Sequence, residues 1–321
     1  MDMDDCLELE RRLAIGFNDY LSLEKRRQLI YEEKSLKELL REDERFRSYT
    51  RETRDVLHWL SRSRENSVIW YGDRDFPSFR PLRNRLPYML FCQGTRPDPS
   101  LSCSVIVGTR HATYRALHQA FRFGLEAVEN SMLVASGMAE GVDQSGMTGA
   151  IEGGGPCMGV LACGHDVEYP SLTLTLRRRI IDGGGCILSR FAPSEAAYKS
   201  NFLSRNMVLA AYGSFTVAVQ APGKSGTLNT CGYSLQMGKD VYVGSEGVGD
   251  RFVQAGTTGL FNDGAKVLKS LADVDYPYLK MRFFVSEMPS GLGLDFEKNY
   301  ANSGSTTRFG DKMYMVRELI S

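Results

Sequence analysis

The chain has 321 residues, 42% of them hydrophobic, and its 39 basic and 39 acidic side chains leave a formal net charge of zero. That length accommodates one large α/β domain with a smaller attachment, and the apolar fraction can supply a substantial core. A histone-like basic surface is excluded, so any phosphate-binding surface has to be a local patch.

Residues 1–65 are dense in charge, free of proline and carry leucine and aromatic residues at helical spacing, as in LSLEKRRQLIYEEKSLKELLREDERF. The pattern predicts a small N-terminal helical domain with solvated charged faces. Ser35 followed by Glu38 spells a capping box, and Thr50 is a candidate cap for a further helix. The opening MDMDDCLELERR has no hydrophobic signal region, and no apolar stretch approaches the roughly 20 residues of a membrane span. A cytoplasmic protein without membrane association is expected.

From residue 66 to 286 the pattern changes to short apolar runs bounded by glycine and proline, among them SVIWYG, YMLFCQG, SVIVGTR, MLVASG, CMGVLACG, CILSRF, SFTVAVQA and DVYVG. Helical stretches separate most of them. Continuous rather than alternating hydrophobicity describes strands covered on both faces, hence a doubly wound, mostly parallel α/β sheet. The tail, 287–321, is rich in glycine and serine before a last amphipathic piece, DKMYMVRELI, and is too short for an ordinary extra domain. The 7 cysteines are scattered without CxxC spacing, and the 4 histidines form no metal-binding pattern. Reduced core thiols, no metal and no cofactor are expected.

Open parallel sheets bind ligands beyond the carboxyl ends of their strands, where glycines allow tight turns and helix N-termini offer amides to anions. Candidate turns are Gly108-Thr109-Arg110 after SVIV, Ser136-Gly137 after MLVA, and Lys224-Ser225-Gly226-Thr227 after FTVAVQA, with a further GTTG at residues 256–259. Their hydroxyls and cations point to a phosphate-bearing ligand. AVQAPGKS, residues 218–225, imitates a P-loop, but its first position lies inside a predicted strand and proline occupies the loop, so ATPase chemistry is not expected.

The order VIVGTR, ASGMAEGVDQSGMTGAIEGGGPCMGVLACGHDVEYP, NFLSRNMVLAAYG, SGTLNTCGYSLQMGKDVYVG and GTTGLFNDGAK, with the lead-in DFPSFRPLRNRLPYMLFCQG, resembles the DprA/Smf family of bacterial DNA-processing proteins over residues 68–270. The resemblance implies an extended Rossmann-like fold that binds single-stranded DNA, dimerises with a second copy, and helps load the RecA recombinase in natural transformation. It implies phosphate and base contacts from Arg110, Arg205 and Asn206, and a pocket floor at Ser225, Gly226 and Thr227. Phe202 is read two ways, as a base-stacking platform or as a core phenylalanine. No catalytic residue is implied.

The chain departs from the family pattern at Glu140, Gly146, Leu203 and Met207, and no winged-helix segment is read after the sheet domain. Glu140 either occupies an anion site at a helix start, opposing DNA phosphate, or points away and stabilises the helix end. Arg177-Arg178-Arg179 is read as a solvated helix end, with an extension of the DNA track as the alternative. A nucleotide-processing enzyme or nucleotide sensor is the competing function, since PGKSGTLNT echoes phosphoribohydrolase loops. Asn229 and Thr230 stand where such an enzyme needs a carboxylate, which argues against catalysis.

Overall fold

The computed structural model describes residues 3–18, 20–32, 34–44, 46, 50–77, 87–169 and 173–274, together with the backbone of three strands between 283 and 318. Residues 78–86 of the proline-rich lead-in, and most of the tail, lie outside the described residues. The chain divides into two compact units, 1–269 and 270–321. In the second unit, strands Phe283–Glu287, Ser305–Phe309 and Lys312–Glu318 form an antiparallel sheet with the last strand in the middle, so the amphipathic DKMYMVRELI is largely a strand.

The first unit opens with four helices, α1 (Met3–Phe17), α2 (Leu23–Tyr31), α3 (Leu36–Glu42) and α4 (Thr50–Arg62). The capping box of α3 is present: Ser35 Oγ accepts the Glu38 amide at 3.4 Å, and the Glu38 carboxylate accepts the Ser35 amide at 2.7 Å. Thr50 is the first residue of α4. These helices do not stand apart, because Leu13 of α1 and Val56 and Trp59 of α4 are buried against Val68, Trp70, Met89 and Phe91 of the first two strands. Removing that apolar surface from water is what fastens the helical segment to the sheet.

The sheet has nine strands: β1 (Asn66–Trp70), β2 (Met89–Gly94), β3 (Cys103–Val107), β4 (Leu133–Ser136), β5 (Cys157–Val160), β6 (Cys186–Ser189), β7 (Phe215–Ala218), β8 (Val241–Gly244) and β9 (Lys266–Leu268). Their spatial order is β1-β2-β6-β5-β4-β3-β7-β8-β9. From β6 to β9 neighbouring strands run parallel, whereas β2 is antiparallel to both β6 and β1. The intervening helices are α5 (Tyr114–Glu129), α6 (Val142–Glu152), α7 (Thr173–Asp182), α8 (Lys199–Tyr212), α9 (Gly226–Gln236) and α10 (Ala255–Asn262).

One core cluster joins β2 to β6 with Met207, Val208, Leu209 and Ala211 of α8. All seven cysteines are free thiols, and all but Cys6 are buried. Burial pushes Cys103, Cys157 and Cys231 up to about 12, where a thiol is inert. Ala218 closes β7, paired with Val107 and Val243, so the P-loop-like stretch begins inside the sheet.

Candidate nucleic-acid interface

From β3 the chain moves to β4, β5 and β6 on one side, then returns to β7, β8 and β9 on the other. Such a reversal parts the loops on either side of β3 and opens a crevice beyond the strand ends. Here the crevice is a cleft of about 390 Å³, reached by the turns after β3, β4 and β7, by one face of α8 and by the first turn of α9.

Two glycine turns form one wall. A Cβ on Gly108 would come within 2.5 Å of Val142, and one on Gly137 within 2.7 Å of the Arg205 guanidinium. Glycine is therefore required there by close packing of protein on protein. Gly141 adopts φ +85° immediately before α6, and a Cβ there would strike the Thr109 carbonyl at 2.5 Å, so the α6 start and the β3 turn interlock. Met138, between them, takes φ +60° while fully buried, an unusual conformation held by its surroundings.

The centre of this wall is Asp143 in the first turn of α6, only 5% exposed. Its carboxylate accepts the Gly108 amide at 3.2 Å and the Gly137 amide at 3.1 Å. Burial raises its pKa above the ordinary carboxylate range against the pull of Arg205, the Gly108 amide, the Ser136 hydroxyl and the Ala139 amide. Arg205, 7% exposed, donates to the Gly137 and Val160 carbonyls and to Asn206 Oδ1. Asn206 in turn donates to the Gly226 carbonyl at 3.0 Å, tying α8 to the start of α9.

The other wall is open. Ser225 caps α9, its hydroxyl accepting the Leu228 amide, and Gly226 and Thr227 follow in the first turn. Gln220 anchors the loop before it, accepting the Thr113 amide at 2.8 Å and donating to the Glu246 carbonyl at 3.1 Å. Arg110 is exposed and donates to the Tyr169 hydroxyl at a long 3.4 Å. Tyr169 meets Phe202 edge to face, with ring centroids 5.5 Å apart, and Phe202 is half-buried. Phe202 lines the cleft half-buried, with the Arg205 guanidinium carbon 5.9 Å from its ring centroid, and so is not a fully buried core residue.

Of the candidates, Ser136, Lys224 and the GTTG of residues 256–259, which lies inside α10, do not line this cleft; the others do. Ser136 is fully buried and donates to the Ile106 carbonyl, joining β4 to β3, while Lys224 is exposed outside the lining. Glu140 is exposed and likewise outside it. The basic triplet differs from its reading as a solvated end: Arg177 is buried and donates to the carbonyls of His165, Val167 and Tyr169, so it holds the loop that presents Tyr169. Arg179 pairs with Glu152 at 2.6 Å. Asp143 and Tyr169 were not singled out by sequence, and the cleft does hold a carboxylate, supplied by α6 instead of the α9 loop. The available signals were an acidic residue two places after a turn glycine and an aromatic before proline, both common in structural roles.

Residues 67–276 match the family model described as DNA recombination-mediator protein A. The DNA processing protein DprA of Streptococcus pneumoniae is 28% identical over 213 residues, covering 62% of this chain and 73% of the relative. That of Bacillus subtilis is 28% identical over 189 residues, 59% of this chain and 63% of the relative. The solved structure of the S. pneumoniae protein superimposes with a TM-score of 0.61 at 23% identity, over 84% of this chain and 94% of that one. DNA processing protein A from Helicobacter pylori, described for its single-stranded DNA binding mode, gives 0.56 at 23% identity over 65% and 93%. At that identity the structural likeness speaks for the fold.

Proposed function

Because the chain belongs to the DNA recombination-mediator protein A family, we propose that its cleft binds single-stranded DNA and that the protein handles DNA in natural transformation or recombination. In this reading a homodimer protects incoming strands in the cytoplasm and passes them to RecA, without catalysing a reaction. The observation that carries the reading is the open wall, where an exposed arginine, a helix N-terminus and a half-buried aromatic ring face one crevice.

Each part has a task in the proposal. Arg110 neutralises phosphate, the first turn of α9 offers amides and hydroxyls to the backbone, and Phe202 stacks on a base. None of these reads base edges, so binding is indifferent to sequence. The H. pylori protein's single-stranded DNA binding supports the assignment by kinship. A cleft of this volume also admits one free nucleotide. Fluorescence anisotropy with a labelled oligothymidylate, competed by blunt duplex and by nucleoside monophosphates, separates these ligands. Preference for the single strand, weakened by salt, is expected; equal affinity for duplex, or tighter binding of a mononucleotide, would overturn the reading.

A further inference from the structure

The amides of Gly108 and Gly137 are the groups that a glycine-rich turn ordinarily offers to an anion. In this cleft both point to Asp143, at 3.2 and 3.1 Å. A phosphate bound there would have to displace a carboxylate that is itself buried and held by the α6 start. The same turn is fixed from the opposite side, where Arg205 donates to the Gly137 carbonyl and its guanidinium fills the space a Cβ would need. The Val142 amide, donating to the Thr109 carbonyl at 3.3 Å, links this assembly to the backbone beside Arg110.

We propose that Asp143 is a positioning residue: its carboxylate clamps the two glycine turns, balances the buried Arg205, and sets the backbone from which Arg110 reaches the ligand. The glycine turns are then an internally satisfied wall, and the DNA phosphates lie against Arg110 and the first turn of α9. This inference rests on the single-stranded DNA reading for its ligand, but the clamp itself is a property of the free protein.

Protonation is the natural probe of such a clamp. A neutral carboxylic acid keeps one good acceptor oxygen and turns the other into a donor, so it cannot hold two amides. Arg205 from α8 is the charged group that faces Asp143, and Arg110 from the β3 turn faces Arg205; both keep their charge. Ser136 and the Ala139 amide also touch the carboxylate without titrating. His111 lines the same cleft, and Glu140 lies on the turn before α6.

The test follows amide resonances of Gly108 and Gly137 and, in parallel, affinity for a short oligothymidylate, whose bases do not protonate in mild acid. In the native chain the two amides should exchange slowly and keep their shifts when oligonucleotide is added, while Gly226 and Thr227 respond. Affinity should fall as pH is lowered. Asp143→Asn should speed exchange at both glycines, weaken binding about tenfold and flatten the acid profile. Binding by Asp143→Asn equal to or tighter than native, or large ligand-induced shifts at Gly108 and Gly137, would overturn the proposal. If the variant does not fold, the native chain decides: fast exchange at Gly108 and Gly137, or large shifts there on adding oligonucleotide, would refute the clamp. Slow exchange at both glycines in a protein that binds no oligonucleotide would preserve the clamp while removing the DNA reading.

Discussion

The two walls of the cleft are made from the same materials, glycine turns and helix N-termini at the ends of parallel strands, yet they are used differently. On the β3–β4 side the groups of the turns are turned inward: Asp143 takes the amides of Gly108 and Gly137, and Arg205 takes the carbonyls of Gly137 and Val160. On the open side the hydroxyl of Ser225 caps its own helix, and Arg110, which reaches from the β3 turn toward Tyr169, has one long hydrogen bond. A glycine-rich turn is thus no sign of a phosphate ligand until its amides have been accounted for. In the proposal the closed wall supplies rigidity, and the open wall supplies contact.

The largest effect should come from breaking the closed wall. Arg205→Met removes hydrogen bonds to two buried carbonyls and strands the Asp143 charge, so unfolding free energy should fall by about 3 to 5 kcal/mol, measured by denaturant titration. An unchanged midpoint would mean that Arg205 is not structural. Asp143 adds a pH signature of known sign. Because its folded pKa is raised, protonation favours the folded chain, and the stability it contributes in acid is lost as pH rises through that raised value. Asp143→Asn should flatten that part of the stability profile even though it weakens binding.

Next in size are the aromatic contacts of the open wall. Phe202→Ala should cost about 1 to 3 kcal/mol of oligonucleotide affinity, read by anisotropy, with the salt dependence unchanged because no charge is lost. Tyr169→Phe, which removes only the hydroxyl facing Arg110, should cost less. A Phe202→Ala variant that binds normally would reduce the ring to packing against Tyr169. The smallest effect is expected at Glu140. Exposed and outside the cleft lining, it acts on phosphate only across solvent, so Glu140→Arg should change affinity by no more than about twofold at low salt and not at all at physiological salt. A several-fold gain would put Glu140 at the ligand.

The fold was legible where physics is local. Continuous apolar runs marked the parallel strands, and Ser35 with Glu38 marked a helix start. The antiparallel attachment of β1 and β2 was not legible, because α1 and α4 cover that edge and remove the alternation that would reveal it. At the site, the turns and Phe202 could be found because strand ends and glycines stand side by side in the chain. The enclosure of Arg205 was not legible, because nothing along the chain announces that a guanidinium will be buried. Its partners, Gly137 in the turn after β4 and Val160 at the end of β5, lie 68 and 45 residues away in the chain. Asp143 escaped for the same reason: its role exists only once the β3 and β4 turns meet.

The central claim, that DNA phosphate lies on the open wall, is tested most directly by comparing native protein with Arg110→Ala across a series of salt concentrations, using one labelled single-stranded oligonucleotide. Arg110 has no buried partner, so the variant should keep its thermal stability. If Arg110 holds a phosphate, the variant binds more weakly at low salt, and the slope of log affinity against log salt becomes shallower by roughly 0.7, one single-strand phosphate contact. An unchanged affinity with an unchanged slope would contradict the account and move the phosphate path away from this cleft.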